Sequence, residues 1–203
     1  FLTITLILAI GSFALTFLTW LRGRITGGRF LTLLMVVNTF WLVSYILELS
    51  VDSAEARLFW MQLRYPVVAS IPTILLVFTL DFTGWWQRMN RHLRLALLIE
   101  PLAALVLAWT NSTHHLVWED VQAITVGGYT FIQPDFGPWV WFHIVYTVLI
   151  VGSGTVMVWR HAPHTPYTLH YQSNAILIAI GLAIGGLLLD MLALKGMEGI
   201  RFN

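Results

Sequence analysis

Cysteine is absent from all 203 residues, which excludes a disulfide framework, a thiolate nucleophile and a thiolate metal site. Lysine is almost absent. Lys195 is the only one and sits at the edge of the last apolar run, so a retinal-type pigment, which needs a lysine within a late span, is excluded. Charged residues make up only 10% of the chain, where soluble domains run near a quarter. With 58% hydrophobic residues and a mean hydropathy of +0.76, the composition is that of a membrane protein. The net charge of +1 carries no argument for nucleic acid. H-E-x-x-H spacing, a Ser-His-Asp order, a P-loop and a glycine-rich phosphate cradle are all missing. No metal site is expected, and no cofactor is indicated. Repeats, low-complexity segments and domain linkers are missing too, so residues 1–203 read as a single transmembrane domain.

What is present is a series of apolar runs. A spanning helix needs about 20 mostly apolar residues. Six candidates fit, at about 1–21, 30–50, 57–83, 95–110, 138–159 and 173–194. The expected fold is an all-α polytopic membrane protein. The run at 1–21 has no basic segment before it and is long enough to span, so it reads as a membrane helix and not a signal peptide. The third run is expected to begin as an interfacial turn at Ser53–Arg57. The fourth is short and carries Glu100-Pro101, which predicts a kink or an extension at one end. Ten tryptophans and six tyrosines suit anchoring at the membrane interfaces.

The arginines give a direction. Arg22, Arg24 and Arg29 lie between spans 1 and 2, Arg88, Arg91 and Arg94 between 3 and 4, and Arg160 between 5 and 6. The connection 111–137 has neither Lys nor Arg but holds Glu119, Asp120 and Asp135. Between spans 2 and 3, Asp52 and Glu55 stand against Arg57. Basic loops stay cytoplasmic. The N-terminus and the 111–137 loop are therefore expected outside an inner, cytoplasmic membrane. Within that loop, A-I-T-V-G-G-Y-T-F-I-Q reads as two short β-prone runs around Gly127-Gly128, a hairpin able to lie over the bundle as a lid.

Polar residues inside a membrane are costly and mark sites. Glu48, Arg64, His143 and Asp190 are expected in one outer layer, with Arg64 roughly 10 Å inside the boundary at 1.5 Å per helical residue. Arg64 needs an acid, Glu48 or Asp190. The functional reading is a pocket opening outward; the plainer one is an ion pair that fixes helix order beside a hydrogen-bonded histidine. Asp81 and Glu100 are expected as an inner pair of acids near Arg88, Arg91 and Arg94. They read as interfacial salt bridges or as a proton-responsive or signal-relaying latch. Adjacent His114 and His115 point apart, which makes a weak metal signal. A haem held across the bundle would want histidines on two spans, and only His143 lies well within one. His161, His164 and His170 read as solvated loop residues, with metal binding or pH sensing as the alternative. Ala175, Ala179 and Ala183, with Gly181 and Gly185, recur every four residues and allow close helix approach, within the bundle or between copies.

Several separated segments resemble one family. They are A-R-L-F-W-M-Q-L-R-Y with Pro72 and F-T-L-D-F-T-G downstream, and I-E-P-L leading to W-T-N-S-T-H-H-L-V-W. Then come F-G-P-W-V-W-F-H-I-V-Y-T-V-L-I-V-G and P-Y-T-L-H-Y-Q. Their order and spacing resemble the seven-helix N-terminal sensor region of bacterial histidine kinases and of some diguanylate cyclases, over about 30–194. The resemblance implies a seven-helix bundle of which six helices stand here, with Asn111, His114, Trp118, Trp139, His143 and Tyr146 as the family's recurrent polar and aromatic positions; together with His115 they are the expected ligand site. A seventh span and a cytoplasmic output domain, kinase or cyclase, are expected beyond Gly199–Asn203. The sequence starts at Phe1, not Met, and is expected to be a processed or partial chain. Catalysis is not expected of it.

The expected function is a sensor module of a two-component type of signalling protein. It would bind an external or lipid-borne ligand in an outward-facing polar and aromatic pocket and relay helix movement to the output domain. The alternative is a structural subunit of a larger membrane assembly, holding pigment or lipid. A transporter is disfavoured, because neither an inverted repeat nor paired broken helices are evident. The partners expected are the bilayer, the signalling domain, and other membrane subunits or a second copy through span 6, but no nucleic acid.

Overall fold

A computed structural model describes residues 2–21, 27–126, 129–164 and 171–181. Contacts divide the chain into two compact units, residues 1–152 and 153–203.

The first unit opens with α1 (Leu2–Leu21) and α2 (Gly28–Ser50), joined by a seam of small polar side chains. Ser12 Oγ lies 2.8 Å from Thr39 Oγ1 and accepts from Asn38 Nδ2 at 2.9 Å, while Thr16 Oγ1 lies 3.2 Å from the same Thr39 hydroxyl. Polar groups in lipid must find partners within the protein, so this seam fixes the rotation of α1 on α2. The start of α2 is tied to a later helix. The Gly27 N–H donates to Asp81 Oδ2 at 3.0 Å, and a Cβ at Gly27 would stand 2.9 Å from the Phe78 ring. Only glycine allows that approach.

Helix α3 (Ala54–Ala69) begins directly at its cap. Ser53 Oγ accepts from the Ala56 N–H at 3.2 Å, as N-cap serines do. The interfacial turn expected at Ser53–Arg57 is therefore the first turn of the helix. With α4 (Ile71–Phe82) it forms one apolar stretch, Ala54–Phe82, interrupted at Ser70. Pro66 and Pro72 flank the interruption, and neither has an N–H for the helical ladder.

A 3₁₀ turn at Trp86–Arg88 leads to α5 (Arg91–Ala96) and α6 (Ile99–Trp109). Asn90 caps α5 by accepting from the Leu93 N–H at 2.8 Å, so this span starts four residues earlier than expected. Its break falls at Leu97–Leu98, not at Glu100-Pro101. The reason is steric: a proline ring collides with the carbonyl four residues before it, which for Pro101 is that of Leu97.

The single turn α7 (Asn111–His114) follows, then β1 (Trp118–Val126), β2 (Tyr129–Phe136) and α8 (Pro138–His161). The strands pair antiparallel, Val126 opposite Tyr129 and Trp118 opposite Phe136, with an irregularity between Trp118 and Asp120. They are longer than the two short runs expected. Pro134 reads as a strand end, yet each strand of a two-stranded ribbon has an open edge where a missing N–H costs nothing. A buried apolar cluster of Met61, Ala108, Val117, Trp118 and Val140 sits at this hairpin end, with Val121 and Ile132 of the strands packed on it.

Among the described residues five helical stretches are long and apolar enough to cross a membrane: Thr3–Leu21, Gly28–Ser50, Ala54–Phe82, Arg91–Trp109 and Pro138–His161. Of the sixth expected span, residues 171–181 are helical. The remainder, including Asp190, lies outside the described residues, as do Gly127-Gly128.

Candidate functional site

Three groups of polar side chains occupy the hairpin half of the first unit. The first is an ion pair between Arg64 Nη1 on α3 and Glu48 Oε2 on α2, with side chains only 16% and 7% exposed. The Arg64 guanidinium also lies over the Tyr45 ring, 5.0 Å from its centroid. A charge at this depth is tolerable only when paired, and Glu48 is the acid observed; Asp190, the other acid expected, lies outside the described residues.

The second group is built around Asn111. Its Oδ1 accepts from the N–H groups of Val117 and Trp118 at 2.9 and 3.1 Å, and its Nδ2 donates to the Trp118 carbonyl at 2.9 Å. Both ends of the amide are thus committed to holding the loop that delivers Trp118 into the core. His114 is committed as well. Its Nδ1 accepts from the Leu116 N–H at 3.0 Å, which leaves Nε2 as the N–H that points at Thr110 Oγ1, 3.0 Å away. This tautomer follows from the donor at Nδ1. His115 closes α7 with φ 53°, the only positive φ outside glycine among the described residues, and its side chain is exposed. Beside this turn opens a cleft of about 240 Å³, with Gln62, Ser112, His115, Glu119 and Asp120 as its polar groups and Leu58, Val121 and Trp118 as its apolar wall.

The third group lies between α6 and α8. His143 Nδ1 is 2.6 Å from Glu100 Oε1, with side chains 16% and 6% exposed. On its other side, His143 Nε2 is 3.3 Å from Thr147 Oγ1. The Tyr146 hydroxyl is 2.7 Å from Thr73 Oγ1 on α4. Trp139 stands one turn before His143 on the same face, and Tyr65 of α3 lies edge-on to Trp118, ring centroids 5.3 Å apart.

This arrangement corrects two expectations. Asp81 and Glu100 are not an inner pair. Asp81 instead accepts from Gly27 and, at 2.8 Å, from Gln87 Nε2. The neighbouring arginines turn to rings and backbone: Arg94 Nη2 donates to the Trp86 carbonyl at 2.7 Å and stacks on its ring, and Arg88 lies over Trp85. Glu100 falls mid-way along Arg91–Trp109 because that span begins earlier than expected, and this depth brings it to His143. The cleft beside His115 is lined by Trp118 but not by His114, Trp139 or His143. The cleft takes Asn111, His115 and Trp118, whereas Trp139, His143 and Tyr146 belong to the group between the helices. Trp141 points away and is exposed, as a residue two positions from Trp139 must on a helix.

A family model described as the N-terminal 7TM region of histidine kinase matches residues 4–202. The chain belongs to this family. No curated protein and no solved structure matches it. Membership makes the chain a multi-pass membrane sensor region of histidine kinases, and the apolar helices agree with that.

Within this sensor region two residues, the buried Arg57 and the partly buried Tyr65, escaped the sequence reading. Arg57 is 7% exposed and lies within electrostatic reach of Glu48, although its place beside Asp52 and Glu55 suggested a loop charge. Its spacing of seven from Arg64, two turns on one helix face, was the available signal. Tyr65 was passed over as one aromatic among many. Among the described residues no group of three or more His, Cys, Asp or Glu is placed to hold a metal.

Proposed function

We propose that this sensor region reads a small ligand in the cleft beside His115, from outside an inner membrane, and passes the event through Trp118 to the helices and on to a cytoplasmic signalling domain. The observation that carries the reading is the double position of Trp118. Trp118 lines the cleft yet is only 2% exposed, and it also packs in the apolar core and against Tyr65. A ligand that alters Trp118 thereby alters α3 and α8 at their point of packing. Ligands act by binding one arrangement more tightly than another, and the left-handed turn at His115, a conformation costing about 1–2 kcal/mol in a residue other than glycine, supplies a segment with a nearby alternative.

The cleft offers Glu119 and Asp120 and no lysine or arginine, which suits a small amine. The test is thermal unfolding of the chain in lipid nanodiscs with a panel of small amines and of neutral polyols. A saturable rise in Tm with an amine is expected, absent in the Glu119→Gln/Asp120→Asn double variant. A rise of equal size in that variant, or none with any amine, would sink the cleft as the ligand site.

A further inference from the structure

The end of the first unit away from the hairpin carries cationic and aromatic side chains that neither the cleft nor the buried pairs use. Asp81 of α4 anchors them. Its Oδ2 accepts from the Gly27 N–H at 3.0 Å and its Oδ1 from Gln87 Nε2 at 2.8 Å. The start of α2 and the 3₁₀ turn Trp86–Arg88 are thereby held to one carboxylate. On that turn the Trp86 ring meets Phe30 of α2 edge-on, centroids 5.4 Å apart, and the Arg94 guanidinium of α5 lies 4.9 Å from a Trp86 ring centroid. Arg94 Nη2 also donates to the Trp86 carbonyl, so α5 folds back on the turn and Arg94 serves as its strut. Arg91 stands three residues earlier on the same helix face. Arg88 lies over Trp85, 5.7 Å from its ring centroid. Arg88, Arg91 and Trp85 are all exposed, beside the exposed Leu93 and Leu95.

Charge selects what covers this surface. Residues 22–47 and 82–99 include no Asp or Glu, and both oxygens of Asp81 are taken. The surface is therefore strongly positive and has no free carboxylate for an ammonium group. A choline or ethanolamine headgroup would set its cation against the arginines, whereas a phosphodiester without a cation is attracted. The fixed positive charges here are all arginine. A guanidinium stacked on a ring keeps its N–H fork for phosphate oxygens. Exposed tryptophan and leucine beside it suit the glycerol and upper acyl region of a bilayer. We infer that Arg88 and Arg91, framed by Arg94 and Trp86, bind the phosphodiester of an anionic phospholipid, with Trp85 against its glycerol. The bound lipid links the ends of α2, α4 and α5 to the charge of the leaflet around them. This site does not depend on the cleft or its ligand.

The test titrates dioctanoyl phosphatidylglycerol into the whole chain in neutral maltoside micelles and reads the bound lipid by native mass spectrometry. Saturable binding is expected, several-fold tighter than that of dioctanoyl phosphatidylcholine. Each arginine near an anionic surface is worth roughly five-fold in binding, so Arg88→Gln/Arg91→Gln should lose on the order of twenty-fold. Both side chains are exposed, and the double variant should keep the parent's Tm. Arg160→Gln, which removes a charge from the last turn of α8, should bind as the parent does. Equal affinity for the two lipids overturns the proposal. So does a double variant that binds like the parent, or an equal loss in Arg160→Gln, which would mean bulk charge and not a site. Displacement of the lipid by millimolar sodium phosphate would mark a site for a soluble anion and overturns the assignment to lipid.

Discussion

Arg64 and Glu48 show how a single residue pair in this protein can be judged by its surroundings. Removing one member of a buried pair strands the other and costs about 3–5 kcal/mol, whereas replacing both with apolar groups is often neutral. The pair here is not isolated, because Arg57 also acts on Glu48. Arg64→Met leaves Glu48 with Arg57 for company. Glu48→Met removes the one acid on which both guanidinium groups act. Glu48→Met is therefore expected to lower stability more than Arg64→Met, by about 1–2 kcal/mol within the range for a stranded charge. Unfolding in mixed micelles measures both, and the reverse order would remove Arg57 from the group. The sequence narrows the partner of Arg64 to Glu48 or Asp190, because each lies near the same end of its span, and Glu48 is the one observed. The partner of His143 was not legible. A span start placed four residues late sets Glu100 near the end of its span, whereas the observed start puts it mid-way along Arg91–Trp109.

Between elements, the hairpin and α8 meet at Gly137. Its N–H donates to the Val117 carbonyl at 2.9 Å, and the Trp139 N–H donates to the Leu116 carbonyl at 2.9 Å. A Cβ at Gly137 would stand 2.4 Å from the Leu116 carbonyl oxygen and 2.7 Å from that of His115. Both obstacles are backbone and have no rotamer to change. Gly137→Ala must open the junction that sets the start of α8, and with it Trp139 and His143. A loss of about 2 kcal/mol or more is expected, the scale of overpacking in a tight interior, with a changed Trp139 indole signal. Pro138→Ala is the control. Proline is favoured but not required at a first helical position, so its loss should leave both readouts nearly as they are. A Tm for Gly137→Ala equal to that of the control would show that the junction yields. The sequence pattern Gly-Pro announced the start of α8, but not the close approach that demands the glycine, because Leu116 and His115 are brought there by Asn111 hydrogen bonds that no periodicity reveals. Likewise Pro101 announced a break in its span, and only the reach of its ring to Leu97 places that break one turn away.

At the scale of the whole molecule, the periodicity of apolar runs carried the class and most of the spans, because lipid leaves a spanning chain little choice but helix. It did not carry the sorting of polar residues into three groups, which depends on helix rotation and depth. The orientation is a proposal that the charge distribution supports. At the end away from the hairpin stand Arg29, Arg88, Arg91 and Arg94, two of them stacked on Trp85 and Trp86 in the manner of an interfacial belt. At the hairpin end the exposed charges include Glu119, Asp120 and Asp135, and Arg57 is buried with Glu48 and so does not count among loop charges. Translocation is opposed by Lys and Arg in short loops, while acids contribute little. A reporter inserted between Val126 and Tyr129 should therefore be exported, and one inserted after Met89 should remain cytoplasmic. Alkaline phosphatase, active only when exported, and a fluorescent protein that matures only in the cytoplasm give opposite signals at the two positions. The reversed pattern would place the cleft on the cytoplasmic face and end the reading of an external ligand there. It would leave the Glu48–Arg64 pair as it stands, since that pair lies within the protein and does not depend on which side faces out.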